Sequence, residues 1–155
     1  MISVRACKSR GAVAVEFALV FPILFLLVYG VVVYAYVFVL HESVNYAAQE
    51  AAIAAVAVRP ETPGYANAVT QRARATALAV LSWLPADQRE RVLGSAGEKV
   101  EVVFRSDVDS TDAIQITLRF RLKEPRPLFP VINLPMVGDV PRLPEQITTQ
   151  AVARI

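Results

Sequence analysis

The chain has 155 residues, 55% of them hydrophobic, and a formal net charge of +2. Its basic and acidic residues are scattered, which argues against a nucleic-acid-binding surface. The single cysteine, Cys7, allows no internal disulfide, and it precedes the apolar run that a lipoprotein acceptor cysteine would follow.

Residues 1 to 11, MISVRACKSRG, carry Arg5, Lys8 and Arg10 as their only charges, and form a short basic leader. From Ala12 to Leu40 there is one charged side chain, Glu16. About 20 apolar residues, each rising roughly 1.5 Å, span a bilayer core, so this longer run reads as a transmembrane helix over residues 12 to 40. The next charged group is Glu42, and the positive-inside rule then puts the N-terminus in the cytoplasm and the rest beyond Leu40 outside it. Plainer readings are a signal anchor and a cleaved secretory signal peptide. The run is near twice the about 7 to 15 residues of a signal-peptide core, although small residues after position 46 offer cleavage sites. A carboxylate at the bilayer centre costs about 2.5–3.5 kcal/mol and less near the interface, so Glu16 calls for a charge partner or for interface depth. Pro22 removes one backbone donor and is expected to kink or loosen the helix; with Gly30 it is tolerated where neighbouring groups satisfy the freed backbone. Tyr29, Tyr34 and Tyr36 belong near the outer headgroups or at a helix–helix contact.

The order of a basic leader, Gly11, a glutamate five residues later and an apolar helix resembles the type IV pilin processing motif. The segment Gly11-Ala-Val-Ala-Val-Glu16-Phe17-Ala-Leu-Val, with Pro22 and Gly30 beyond it, is similar to the opening of the TadE-like family, pseudopilins of tight-adherence (Flp, type IVb) pilus systems. Major pilins of that branch carry Glu-Tyr here, so Glu16-Phe17 fits a minor pseudopilin better. The resemblance implies cleavage after Gly11 by a prepilin peptidase on the cytoplasmic side. It also implies other pilins or pseudopilins, pilus assembly platform proteins and the lipid bilayer as partners. Cleavage would free the α-amino group of Ala12 beside hydrocarbon. Glu16 lies about one helical turn along and can neutralise it within the chain or on a neighbouring subunit, which sets subunit register.

Residues 41 to 58, HESVNYAAQEAAIAAVAV, continue the helix outside the membrane with no breaker before Pro60. His41, Glu42, Asn45 and Gln49 cluster on one side of the wheel. Leu40, Ala47, Ala51, Ala54 and Val58 form an apolar seam nearly opposite. Residues 12 to 58 would make one helix of roughly 70 Å, an anchor whose outer half lies on a head. His41, the sole histidine, has no metal-spaced partner and reads as interfacial.

The remaining residues, 59 to 155, read as a small periplasmic or extracellular head. Pro60, Pro63 and Gly64 break the chain, and a second helix runs from Tyr65 towards Pro85, with Tyr65, Val69, Ala73, Val80, Trp83 and Leu84 on one face. Arg72, Arg74, Arg89 and Arg91, interrupted by Asp87 and Glu90 and without a glycine-rich cradle, read as a solvated face. Two strands follow, one with Val100, Val102 and Phe104 inward, the other with Ile114, Ile116, Leu118, Phe120 and Leu122 inward and Gln115, Thr117, Arg119, Arg121 and Lys123 wet. Their loop holds Asp107, Asp109 and Asp112 but lacks the glycine and distal glutamate of a calcium-binding hand. Six prolines from Pro125 to Pro144 stiffen an irregular connection, whose PVINLPMVG stretch is apolar enough to pack on the head or on a neighbouring subunit. Ile147, Thr149, Ala151, Ala153 and Ile155 alternate as a third strand.

No nucleophile elbow, paired-histidine zinc motif, phosphate loop or CxxC is present, so neither an enzyme nor a cofactor or metal site is expected. The fold expected is α+β: a long N-terminal pilin-like helix, a second helix and a small three-stranded antiparallel sheet. The function expected is assembly of a tight-adherence pilus by helix packing, from the inner membrane or within the extracellular filament. An uncleaved single-pass tether with an outer ligand-binding domain is the alternative, and it should tolerate Gly11→Leu and Glu16→Val.

Overall fold

The computed structural model describes residues 9–106, 112–124, 126–134 and 138–154. The leader residues Arg5, Cys7 and Lys8, the loop aspartates Asp107 and Asp109, and Pro125, Pro135 and Ile155 lie outside the described residues. The chain divides into two compact units, Met1–Val37 with Val131–Pro141, and Phe38–Pro130 with Arg142–Ile155.

One helix, α1 (Ser9–Val56), supplies the N-terminal part of both. Its 48 residues have no glycine or proline after Gly30, and alanine, the best helix former, dominates its last three turns. Pro22 sits inside the helix without ending it. In the first unit a short hairpin pairs β3 (Ile132–Leu134) with β4 (Gly138–Val140), and the Asn133 Nδ2 donates to Asp139 Oδ1 at 2.8 Å. The proline-rich connection therefore is not wholly irregular. Pro130 and Pro141 fall just outside these strands, where no ladder donor is needed.

The second unit is α+β. The outer part of α1 buries Leu40, Val44, Ala47, Ala48, Ala51, Ala52 and Ala55, an apolar seam at the helical period. It lies slightly to one side of the expected one: Leu40, Ala47 and Ala51 are fully buried, whereas Ala54 and Val58 are half-buried. α2 (Tyr65–Val80) buries Val69, Ala73 and Ala77 and passes into a 3-10 turn, Leu81–Trp83. That change moves Trp83. A 3-10 turn steps about 120° per residue instead of about 100°, so Leu84 inherits the inward direction of Leu81. Leu81 and Leu84 are buried, and Trp83, expected inward, is 54% exposed.

A further helix, α3 (Ala86–Leu93), follows Pro85 and was not expected from the sequence. Its signals were nevertheless present. Asp87 lies in its first turn and Arg91 in its last, which suits the helix dipole, and Gly94 ends it at φ 77°.

The sheet has the order β1 (Glu101–Ser106), β2 (Asp112–Arg121), β5 (Gln146–Arg154), all antiparallel. β1 and β2 form a hairpin whose register opens at Ser106↔Asp112, and α3 packs against β2. Ile114, Ile116, Leu118, Phe120 and Leu122 are buried as expected, with Ile147, Thr149 and Ala151 of β5 beside them. Two expectations fail here. Gln115 and Thr117 were expected wet and are buried, because β2 is the central strand. Val103 and Val152 flank Gln115, and Glu101 and Gln150 flank Thr117. Phe104 was expected inward and is 43% exposed near the end of an edge strand, its ring 6.2 Å from that of Tyr65.

Candidate functional site

The residues singled out by sequence all lie on the first turns of α1. Gly11, Ala12, Glu16, Phe17 and Pro22 are exposed, and a side chain added at Gly11 would meet nothing within 4 Å. The helix begins at Ser9, so the Gly11–Ala12 peptide lies within its first turn. Ala12 and Glu16 stand four residues apart on an unbroken helix and share a face. The ion pairs of the described residues are Arg119–Glu101 at 2.6 Å and Arg121–Glu124 at 2.9 Å, and Glu16 belongs to neither.

Phe17, expected to act in assembly with Glu16, also opens a row of stacked aromatic rings along the helix. Its ring stacks on Phe21 at 5.3 Å, Phe21 on Phe25 at 6.2 Å, and Phe25 on Tyr29 at 6.1 Å. The i,i+4 spacing was the available signal, since residues four apart are neighbours on a helix surface. The helix is long and apolar enough to cross a membrane over Gly11–Val56, with little of its most apolar window buried by the protein. Val13, Val15, Leu19, Ile23 and Leu27 are each more than 60% exposed, an arrangement suited to lipid or to other helices and not to water.

A family model described as TadE-like protein matches residues 11–52. This is the family that the Gly11-to-Phe17 pattern resembled. Over these residues the chain is similar to TadE-like proteins. The match begins at Gly11 and extends twelve residues past Leu40, onto the part of α1 that packs in the second unit. No curated protein and no solved structure gives a significant match. The match is thus to a family of pilus-associated proteins and covers the N-terminal helix, which is long and apolar enough to cross a membrane. TadE-like proteins are pilus components and are not known as enzymes.

Among the described residues a polar groove lies between α3 and the sheet. A cavity of about 250 Å³ is lined by Arg91, Lys99, Arg121 and Glu124. Each cation there already has a partner. Arg91 Nη1 donates to the Arg126 carbonyl at 2.8 Å, Lys99 Nζ to the Glu90 carbonyl at 3.0 Å, and Arg121 pairs with Glu124. Arg91 thus ties α3 to the proline-rich connection after β2 and is not simply part of a solvated face, while Arg74 is half-buried beneath Gly97. Beside the groove, the Glu98 carboxylate accepts from the amides of Ser95 at 3.1 Å and Ala96 at 2.8 Å. These bonds, the Ala96 amide first, hold its carboxyl below the ordinary value. Among the described residues no group of three or more His, Cys, Asp or Glu side chains could hold a metal ion. His41 stands exposed on α1, apart from any such group.

Proposed function

We propose that the chain is a minor pseudopilin-like subunit needed to assemble a tight-adherence pilus, acting through helix packing after removal of its leader. The observation that carries this reading is the TadE-like match starting at Gly11, on a helix whose following apolar residues are exposed. A prepilin peptidase cuts after Gly11 on the cytoplasmic side, and the new amine of Ala12 faces the Glu16 carboxylate one turn along. In lipid an unpaired charge is costly, so Glu16 pairs with that amine or with the amine of a neighbour, and the pairing fixes the stagger between subunits. The processed protein stays in the inner membrane with its head in the periplasm until it joins other pilins and the assembly platform. Pro22 loosens the helix between the charge pair and the outer half.

The decisive measurement is the intact mass of the membrane-extracted protein, made with and without its cognate prepilin peptidase. A product beginning at Ala12 only when the peptidase is present is the expected result, and Gly11→Leu should abolish it. A full-length chain in both samples would overturn this reading and favour an uncleaved tether.

A further inference from the structure

The part of α1 from Phe38 to Ile53 lies wholly within the second unit and has a second face besides its buried seam. Phe38 (64% exposed), Glu42, Tyr46 (56%), Gln49 and Ile53 (63%) form a wet row on the opposite side at the helical period. One exposed apolar side chain would need no explanation, but Phe38 at the outer end of the bilayer-length run, with Tyr46 and Ile53 beyond it, makes a ridge suited to another helix. The charge of the Glu50 carboxylate one turn on holds the Tyr46 hydroxyl above its ordinary pKa. Glu42 has no ion-pair partner among the described residues.

The charge on this row selects its occupant. Two copies of the chain anchored in one membrane and paired symmetrically, this face against itself, would run parallel without stagger and bring Glu42 against Glu42. Like charges facing each other across a desolvated contact disfavour that pairing. We propose that the Phe38–Ile53 row docks a parallel, membrane-anchored helix of a different subunit, one presenting a lysine or arginine at the height of Glu42. The proposal rests on the pilus-subunit reading, which supplies neighbours anchored in the same membrane.

A variant of the chain itself can stand in for the basic partner. Full-length chains in a Cys7→Ser background carry Gln49→Cys as reporter and two distinguishable tags, one chain keeping Glu42 and the other bearing Glu42→Lys. After co-expression and oxidation in the membrane, the mixed disulfide dimer should exceed either like-charged dimer at least about fivefold. Ile53→Asp in either chain should remove it, since this exposed residue contributes to the ridge and not to the core. A Glu42–Glu42 dimer of equal yield would overturn the proposal and assign the face to a second copy. Absence of every dimer, or indifference to Ile53→Asp, would overturn the docking face altogether. Intact mass of the same chains reads leader removal separately. A product starting at Ala12 without cross-links sinks only the docking face, and an uncut chain sinks the pilus reading whatever the cross-links show.

Discussion

Glu16 and Glu98 show how differently two carboxylates can be placed by one chain. Glu98 is tied to the amides of Ser95 and Ala96 in a turn whose ends, Gly94 and Gly97, have positive φ of 77° and 76°. A carboxyl held below its ordinary value of 4.5 stabilises the fold above that pH, and the contribution disappears as pH falls through the lowered value. Glu98→Gln should therefore lower the melting temperature at pH 7, and the gap to the parent should close as the medium is acidified below about pH 4. Thermal melts of both proteins across pH 3 to 7 test this. A gap that persists unchanged at the acid end would mean that Glu98 acts through packing. Gly94 adds a second constraint: a Cβ there would run into the Glu98 carboxylate. Gly94→Ala should cost about 1–3 kcal/mol by denaturant unfolding, from the positive φ and the lost cap together.

The long helix and the central strand make different demands on their side chains. In the outer part of α1 the seam is almost entirely alanine, so the helix can approach its neighbours closely, with no room for larger groups. Ala51, fully buried, should tolerate enlargement poorly, and Ala51→Leu is expected to cost about 1–3 kcal/mol through displaced packing. β2 buries the large side chains instead. Phe120→Ala should cost about 3–5 kcal/mol, since the ring is fully enclosed and its loss leaves a cavity. Chemical denaturation monitored by circular dichroism measures both. If Ala51→Leu proves neutral while Phe120→Ala is severe, the seam is looser than its burial implies. The Arg119–Glu101 and Arg121–Glu124 pairs, with about half or more of each side chain exposed, add little beside these terms.

At the scale of the whole chain, an N-terminal helix with exposed apolar residues runs on into a unit with its own buried core. An alkaline carbonate wash should leave the full chain in the membrane pellet, because apolar burial in lipid does not depend on charge. Release into the supernatant would mean a peripheral protein and would remove the basis for anchoring. The sequence by itself determined the anchor, the outer helix, the β1–β2 hairpin and the third strand, because their signals are local: composition over about 20 residues, or a period of 3.6 or 2. It also pointed to the TadE-like segment through Gly11, Glu16 and Phe17, since a processing motif is read along the chain. Only the tertiary structure decided that β2 lies between β1 and β5, and hence that Gln115 and Thr117 are buried. It likewise decided that the 3-10 turn presents Trp83 to solvent and that the wet row on α1 stands opposite the buried one. Those outcomes depend on which elements become neighbours. A residue's exposure follows from what packs beside it, and side-chain period fixes only which face it shares.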